Sequence, residues 1–139
     1  MPITYTICKH PRVTYARYVG TVTLNELLMN YMNYIRDDLY EPGIPELIDA
    51  TDVGTFTANG VLLRTIATTV DMINKGKATT VTSIYAPTPS ALAVGKRYQK
   101  ICRNLSGLTV HVNKDAEAAI SKLGLPYRSI AELKQAIEA

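Results

Sequence analysis

The 139-residue chain has no tryptophan, one phenylalanine, two cysteines and two histidines, and each scarcity removes a class of chemistry. Cys8 and Cys102 are far apart, form no CxxC pair and sit among apolar neighbours. That excludes a disulfide framework or a thiolate metal knuckle, and it reads as two buried thiols packing as small hydrophobes. His10 and His111 have no ligand-type residue at short spacing. Each is read as structural or exposed, and no metal or cofactor is expected. No run approaches 18 uncharged apolar residues, so no membrane-spanning helix is expected. The N-terminus lacks a basic start, an apolar block and a cleavage site, so it reads as mature protein, with the cytoplasm as the default location. There is no G-x-S-x-G elbow, phosphate-binding loop, G-x-G-x-x-G or H-E-x-x-H. No catalytic residue is assigned, and a non-enzymatic role is expected.

What is present is an ordinary globular composition, 47% apolar and 19% charged, in a length that suits one domain over residues 1–139. The net charge of +3 is too mild to hold the protein on nucleic acid at physiological salt. Residues 3–10 and 12–20 alternate with a two-residue period across His10-Pro11, which predicts an antiparallel hairpin. Thr23-Leu24-Asn25-Glu26 is a capping box. It opens a helix whose apolar stripe is Leu24, Leu27, Leu28, Tyr31, Met32 and Ile35, ending near 37–39.

A short strand follows over 45–50, then a small-residue turn over 51–60. A second helix starts near 57–59 and leaves at Asn74-Lys75-Gly76. A strand over 79–86 leads to Thr88-Pro89, an N-cap followed by proline, and a third helix to about Leu105. The last strand is 108–112. Asn113 is expected to cap a helix over 115–123, and Ser129 with Glu132 to open a C-terminal helix. The expected fold class is therefore α/β, with a mixed, mainly parallel five-stranded sheet. It has an N-terminal antiparallel hairpin, then alternating helix-strand units, and four to five helices.

The stretch LIDATDVGTFTANGVLLR, 47–64, carries the candidate site. An apolar strand ends in Asp49, and Gly60 precedes a new apolar run. In an open parallel sheet, ligands and partners meet the carboxyl ends of the strands. A binding loop is therefore placed at Asp52, Thr55, Thr57, Asn59 and Gly60. The element order and this turn resemble the STAS domain (sulfate transporter and anti-sigma factor antagonist), most nearly the small stand-alone SpoIIAA-like bacterial proteins. Their loop of type D-S-S-G-L opens the helix after an aspartate-containing strand. The resemblance implies a regulatory module acting through a protein partner. Its phosphorylatable serine falls on Asn59, which cannot be phosphorylated, and its loop aspartate falls on Thr57. The switch is then missing, or has moved to Thr55 or Thr57. SpoIIAA-like proteins are also described together with the similarly folded CRAL-TRIO-type lipid carriers. The alternative function is thus a binder of a small apolar or lipid-like ligand, with Tyr31, Met32 and Ile35 lining a pocket.

Asp49 and Asp52 could form an acid–base pair, but the simpler reading has Asp49 accepting amides of the following turn. Lys96, Lys100 and Arg103 share one face of the third helix as a basic patch. It is read as solvated, or as a dock for an acidic partner or lipid headgroup, and not for nucleic acid. The nine tyrosines suit half-buried surfaces, either a self-association face in a dimer or an amphipathic pocket. If all crossovers step one way, the main helices share one side of the sheet. The opposite face then needs cover from the C-terminal helix or a second subunit.

Overall fold

A computed structural model describes residues 2–56 and 60–139, with no side-chain description at Phe56 and Leu62. Its elements run β1 (Ile3–Lys9), β2 (Arg12–Val22), α1 (Leu24–Ile35), β3 (Glu46–Phe56), α2 (Gly60–Asn74), β4 (Thr80–Tyr85), α3 (Pro89–Cys102), β5 (Leu108–Asn113), α4 (Ala116–Ser121) and α5 (Ile130–Glu138). The sheet is a single five-stranded layer in the order β1-β2-β3-β4-β5. β1 and β2 pair antiparallel, and every later neighbour pairs parallel. The expected α/β class with a mixed sheet and N-terminal hairpin is what the chain forms.

Local chemistry explains the boundaries. Thr23 Oγ1 accepts from the Glu26 amide, and Glu26 Oε1 accepts from the Thr23 amide at 3.2 Å, so two otherwise unpaired amides at the start of α1 are satisfied. Thr88 accepts from Ala91 N with Pro89 as the first helical residue of α3. α2 leaves through Gly76 at φ +78°, a left-handed conformation that side chains resist. The cap of α4 differs from expectation. Asp115 accepts from Ala118 N, whereas Asn113 is the last residue of β5, paired with Tyr85. The helix needs its acceptor directly before the first turn, and Asp115, not Asn113, stands there. α1 stops at Ile35, the last residue of its apolar stripe and short of the expected 37–39, and α3 stops at Cys102, before the expected Leu105.

The larger correction concerns residues 51–56. They continue β3, paired with Val19–Val22 of β2, and are not a turn. Register shifts lie between Arg17 and Val19 and between Gly20 and Thr21. At each, β3 carries one residue more than β2, as a β-bulge does. Small and polar residues with Gly54 make TDVGTF look like a loop, but they are also the composition a bulged strand tolerates.

The two faces of the sheet are closed differently. Ala67 and Val70 of α2 and Cys102 of α3 pack with Ile84, Leu108 and Val110 on one side. α1 joins that side through Leu27 with Ile3 and Val22, and through Tyr34 with Ile7 and Ile44. Gly95 brings α3 close to β5, because a Cβ there would lie 2.9 Å from Val112 Cγ1. On the opposite side Val13, Tyr15 and Leu47 pack against Ala119 and Ile120 of α4 and Leu133 of α5. Ser83 Oγ donates to Ala119 O at 2.6 Å, tying β4 to α4. The second face is therefore covered by the C-terminal helices. Among the described residues no helix is long and apolar enough to cross a membrane.

Leu133 is fully buried and is the buried residue through which α5 joins this cluster. Leu133→Ala should lower unfolding stability by about 2–5 kcal/mol, read from urea unfolding. An unchanged midpoint would show that α5 does not hold the second face.

Candidate ligand cavity

Between the sheet and helices α1–α3 lies a cavity of about 330 Å³. Strand alternation builds its floor. Thr14, Ala16 and Tyr18 of β2, Glu46, Ile48 and Ala50 of β3, and Thr80, Thr82 and Ile84 of β4 all face inward. Their neighbours Val13, Tyr15 and Leu47 face the closed side. Leu27 and Tyr31 of α1, Leu63 and Ile66 of α2, and Ala91 and Val94 of α3 form the roof. The cavity runs along the strands, from Ile44 and Glu46 where β3 begins to Val53, Gly54 and Thr55 beyond its bulge.

Six of the nine tyrosines, at positions 5, 18, 31, 34, 40 and 98, line this space. Tyr34 is their hub. Its ring centroid lies 5.2 Å from Tyr5 and 5.0 Å from Tyr40, both edge-on, and 6.4 Å from Tyr31. Such edge-to-face pairs add roughly 0.5–1.5 kcal/mol beyond the area they bury. The Tyr34 hydroxyl hydrogen-bonds Thr14 Oγ1 at 2.7 Å, which fixes the ring against the floor. Tyr5 OH donates to Asp37 Oδ2 at 3.0 Å. Burial raises the phenol pKa values of Tyr18, Tyr31, Tyr34, Tyr40 and Tyr98, with a further push from Glu46 in each case. All stay protonated donors at neutral pH.

Glu46 is the sole ionisable carboxyl among the described lining residues, which include no lysine, arginine or histidine. It is half-buried and lines the cavity at the end where β3 begins. Its one hydrogen bond among the described residues is a long one, 3.4 Å from Thr82 Oγ1. Desolvation pushes its pKa up from 4.5 to about 7, opposed weakly by that hydroxyl. Reading the sequence missed Glu46 by taking it as a strand start. The available signal was its phase, two and four residues before Ile48 and Ala50, on a strand expected to be covered on both faces.

The expected site residues disperse. Thr55 and Tyr31 line the one cavity, at its upper end and roof. Thr57 and Asn59 lie outside the described residues. Gly60 opens α2 beside Arg97, whose Nη2 a Cβ at that position would approach to 2.8 Å. Met32 and Ile35 do not line the cavity, and Ile35 instead packs with Ile7, Tyr34 and Ile44. Met32, one residue past Tyr31, is turned off its inward face, whereas Ile35 lies one turn further along the same face. Lys96, Lys100 and Arg103 are exposed.

Asp49 and Asp52 form no acid–base pair. Asp49 is buried toward the closed side, accepting from Tyr15 OH at 2.6 Å and from Thr51 N at 3.0 Å, the local-amide role expected of it. Asp52 is ion-paired with exposed Arg17. Cys102 is buried, its thiol pushed up to about 11 by desolvation, while Cys8 is only half-buried. Among the described residues no group of three or more His, Cys, Asp or Glu is placed to hold a metal ion.

The displaced pKa of Glu46 has a defined consequence for stability. The folded protein holds this proton more tightly than the unfolded chain, so between about pH 4.5 and 7 unfolding releases it. Stability from this group therefore falls as pH rises through that window and is level above it. Comparing urea unfolding of the native protein with Glu46→Gln, the native protein should lose up to about 3 kcal/mol more across the window. Parallel pH profiles would show that the carboxyl is not desolvated. No family model matches this chain, and no curated protein matches it.

Proposed function

We propose that this protein binds a small, largely apolar ligand between its sheet and helices α1–α3, as a carrier or sensor of a lipid-like molecule. The observation that carries the reading is the cavity itself. Its volume of about 330 Å³ falls within the roughly 300–1,000 Å³ typical of ligand pockets. Apolar walls with a few polar groups at fixed points are what such pockets use for affinity and orientation. The resemblance to STAS and CRAL-TRIO-type proteins supports the same reading through element order.

Ala50 lines the cavity from β3 and is 7% exposed, so a larger side chain there grows into the cavity. Nile red, a neutral apolar dye, should bind the native protein with one-to-one stoichiometry. Ala50→Phe should weaken it at least about tenfold, or about 1.4 kcal/mol. Native mass spectrometry of protein purified from cells should show a retained apolar mass that the variant lacks. Dye binding indifferent to Ala50→Phe would remove the proposal.

A second reading, a STAS-type interaction module with a protein partner, has its own supporting observation. Asp52 and Thr55 are exposed near the start of α2, and α2 itself exposes Val61 (70%) and Met72 (69%). Affinity capture with native protein should recover a partner that Asp52→Arg with Val61→Arg loses. A partner retained by that double variant would exclude this surface.

A further inference from the structure

We propose, resting on the cavity as a ligand site, that its ligand is a lipophilic cation, an amine or quaternary ammonium on an apolar body, held with its charge against Glu46 and the surrounding tyrosine rings. Three observations converge on that class. The first is charge inventory. Among the described lining residues the cavity carries one carboxyl and no basic side chain. A ligand carboxylate or phosphate would find no counter-charge and would be repelled by Glu46. A cation finds the single opposite charge in a medium where such attraction is weakly screened.

The second is the wall. Tyr18, Tyr31, Tyr34, Tyr40 and Tyr98 line the same cavity as Glu46. Tyrosine rings attract cations through their negative faces, so a cation in this space meets an aromatic lining as well as the carboxylate. The third is the unmet need of Glu46. A buried carboxyl normally has a cationic partner or several donors. Here one hydroxyl at 3.4 Å is its hydrogen-bond donor among the described residues. Thr14, its register neighbour on β2, is engaged with Tyr34 instead. The fold keeps a costly group in an apolar space without using it, the pattern expected where a ligand supplies the partner.

The pH dependence has a defined sign. The titratable groups that share the cavity with Glu46 are Tyr18 from β2, Tyr31 and Tyr34 from α1, Tyr40 from the connection into β3, and Tyr98 from α3, with Cys102 beside Tyr98. Tyr5 from β1 and its partner Asp37 stand further along the wall. The phenols are raised by burial and Cys102 is pushed up to about 11. Glu46, at about 7, is then the lining group whose charge changes around neutrality. A fixed cation needs it ionised, so its affinity rises with pH. A neutral ligand that accepts a hydrogen bond from the carboxyl needs it protonated, and its affinity falls.

The experiment compares decyltrimethylammonium, decanol and decanoate, below their aggregation concentrations, as competitors of Nile red on the native protein and on Glu46→Gln. The cation should displace the dye at least about tenfold more effectively than decanol at pH 8. Its affinity should rise roughly tenfold from pH 6 to pH 8 as Glu46 ionises. Both effects should vanish in Glu46→Gln, where binding of the cation and of decanol is also read directly by calorimetry. Non-specific uptake is disfavoured by the net charge of +3. Decanol or decanoate binding as tightly as the cation, or a cation preference that survives Glu46→Gln, overturns the cation while leaving the cavity as a ligand site. Failure of Nile red and all three competitors to bind removes both.

Discussion

Every crossover after the hairpin steps the same way across the sheet, and this constraint organises the molecule. Strand order follows chain order from β1 to β5. Right-handed connections then deliver α1, α2 and α3 to one side. Three helices there must share the inner residues of five twisted strands. They meet the sheet closely near β5, where Gly95 lets α3 approach Val112, and the cavity lies between the three of them and the floor of β2–β4. The other side receives the short α4 and α5, which close tightly over Val13, Tyr15 and Leu47. One face of the sheet is thus closed by packing alone, and the other combines a packed cluster with a cavity.

Tyrosine use follows this division. Tyr15, Tyr85 and Tyr127 belong to the closed face, where Tyr15 is anchored on buried Asp49. The other six surround the cavity. Phenols suit such a wall better than phenylalanine would, since each hydroxyl can reach a partner while the ring stays in apolar contact. The hydroxyls of Tyr5 and Tyr34 are spoken for by Asp37 and Thr14. Those two phenols are thereby fixed in the wall.

Much of the fold was legible because local signals agreed with the global pattern. The hairpin, the Thr23–Glu26 capping box, Thr88-Pro89 and the Gly76 exit each rest on chemistry within a few residues, and each forms as expected. What could not be read depends on pairing between distant segments. Residues 51–56 are a strand because β2 is long enough to hold them, and the bulges that make this workable exist only in the paired state. The same bulges carry Thr55 into the cavity wall and leave Asp52 paired with Arg17 outside, so two residues assigned to one loop have different surroundings. Glu46 was passed over for a similar reason. A charged residue at a strand start looks solvated until α1 and the Tyr40 connection are folded over it.

The closed face also fixes an order of events during synthesis. Val13 and Tyr15 belong to the earliest hairpin, yet their cover, Ile120 and Leu133, is made more than a hundred residues later. A growing chain makes β1 to β5 before it makes this cover, so the apolar strip stays open until α4 and α5 exist. The hairpin must therefore tolerate a wait, and the arrival of α4 and α5, not strand pairing, closes this face.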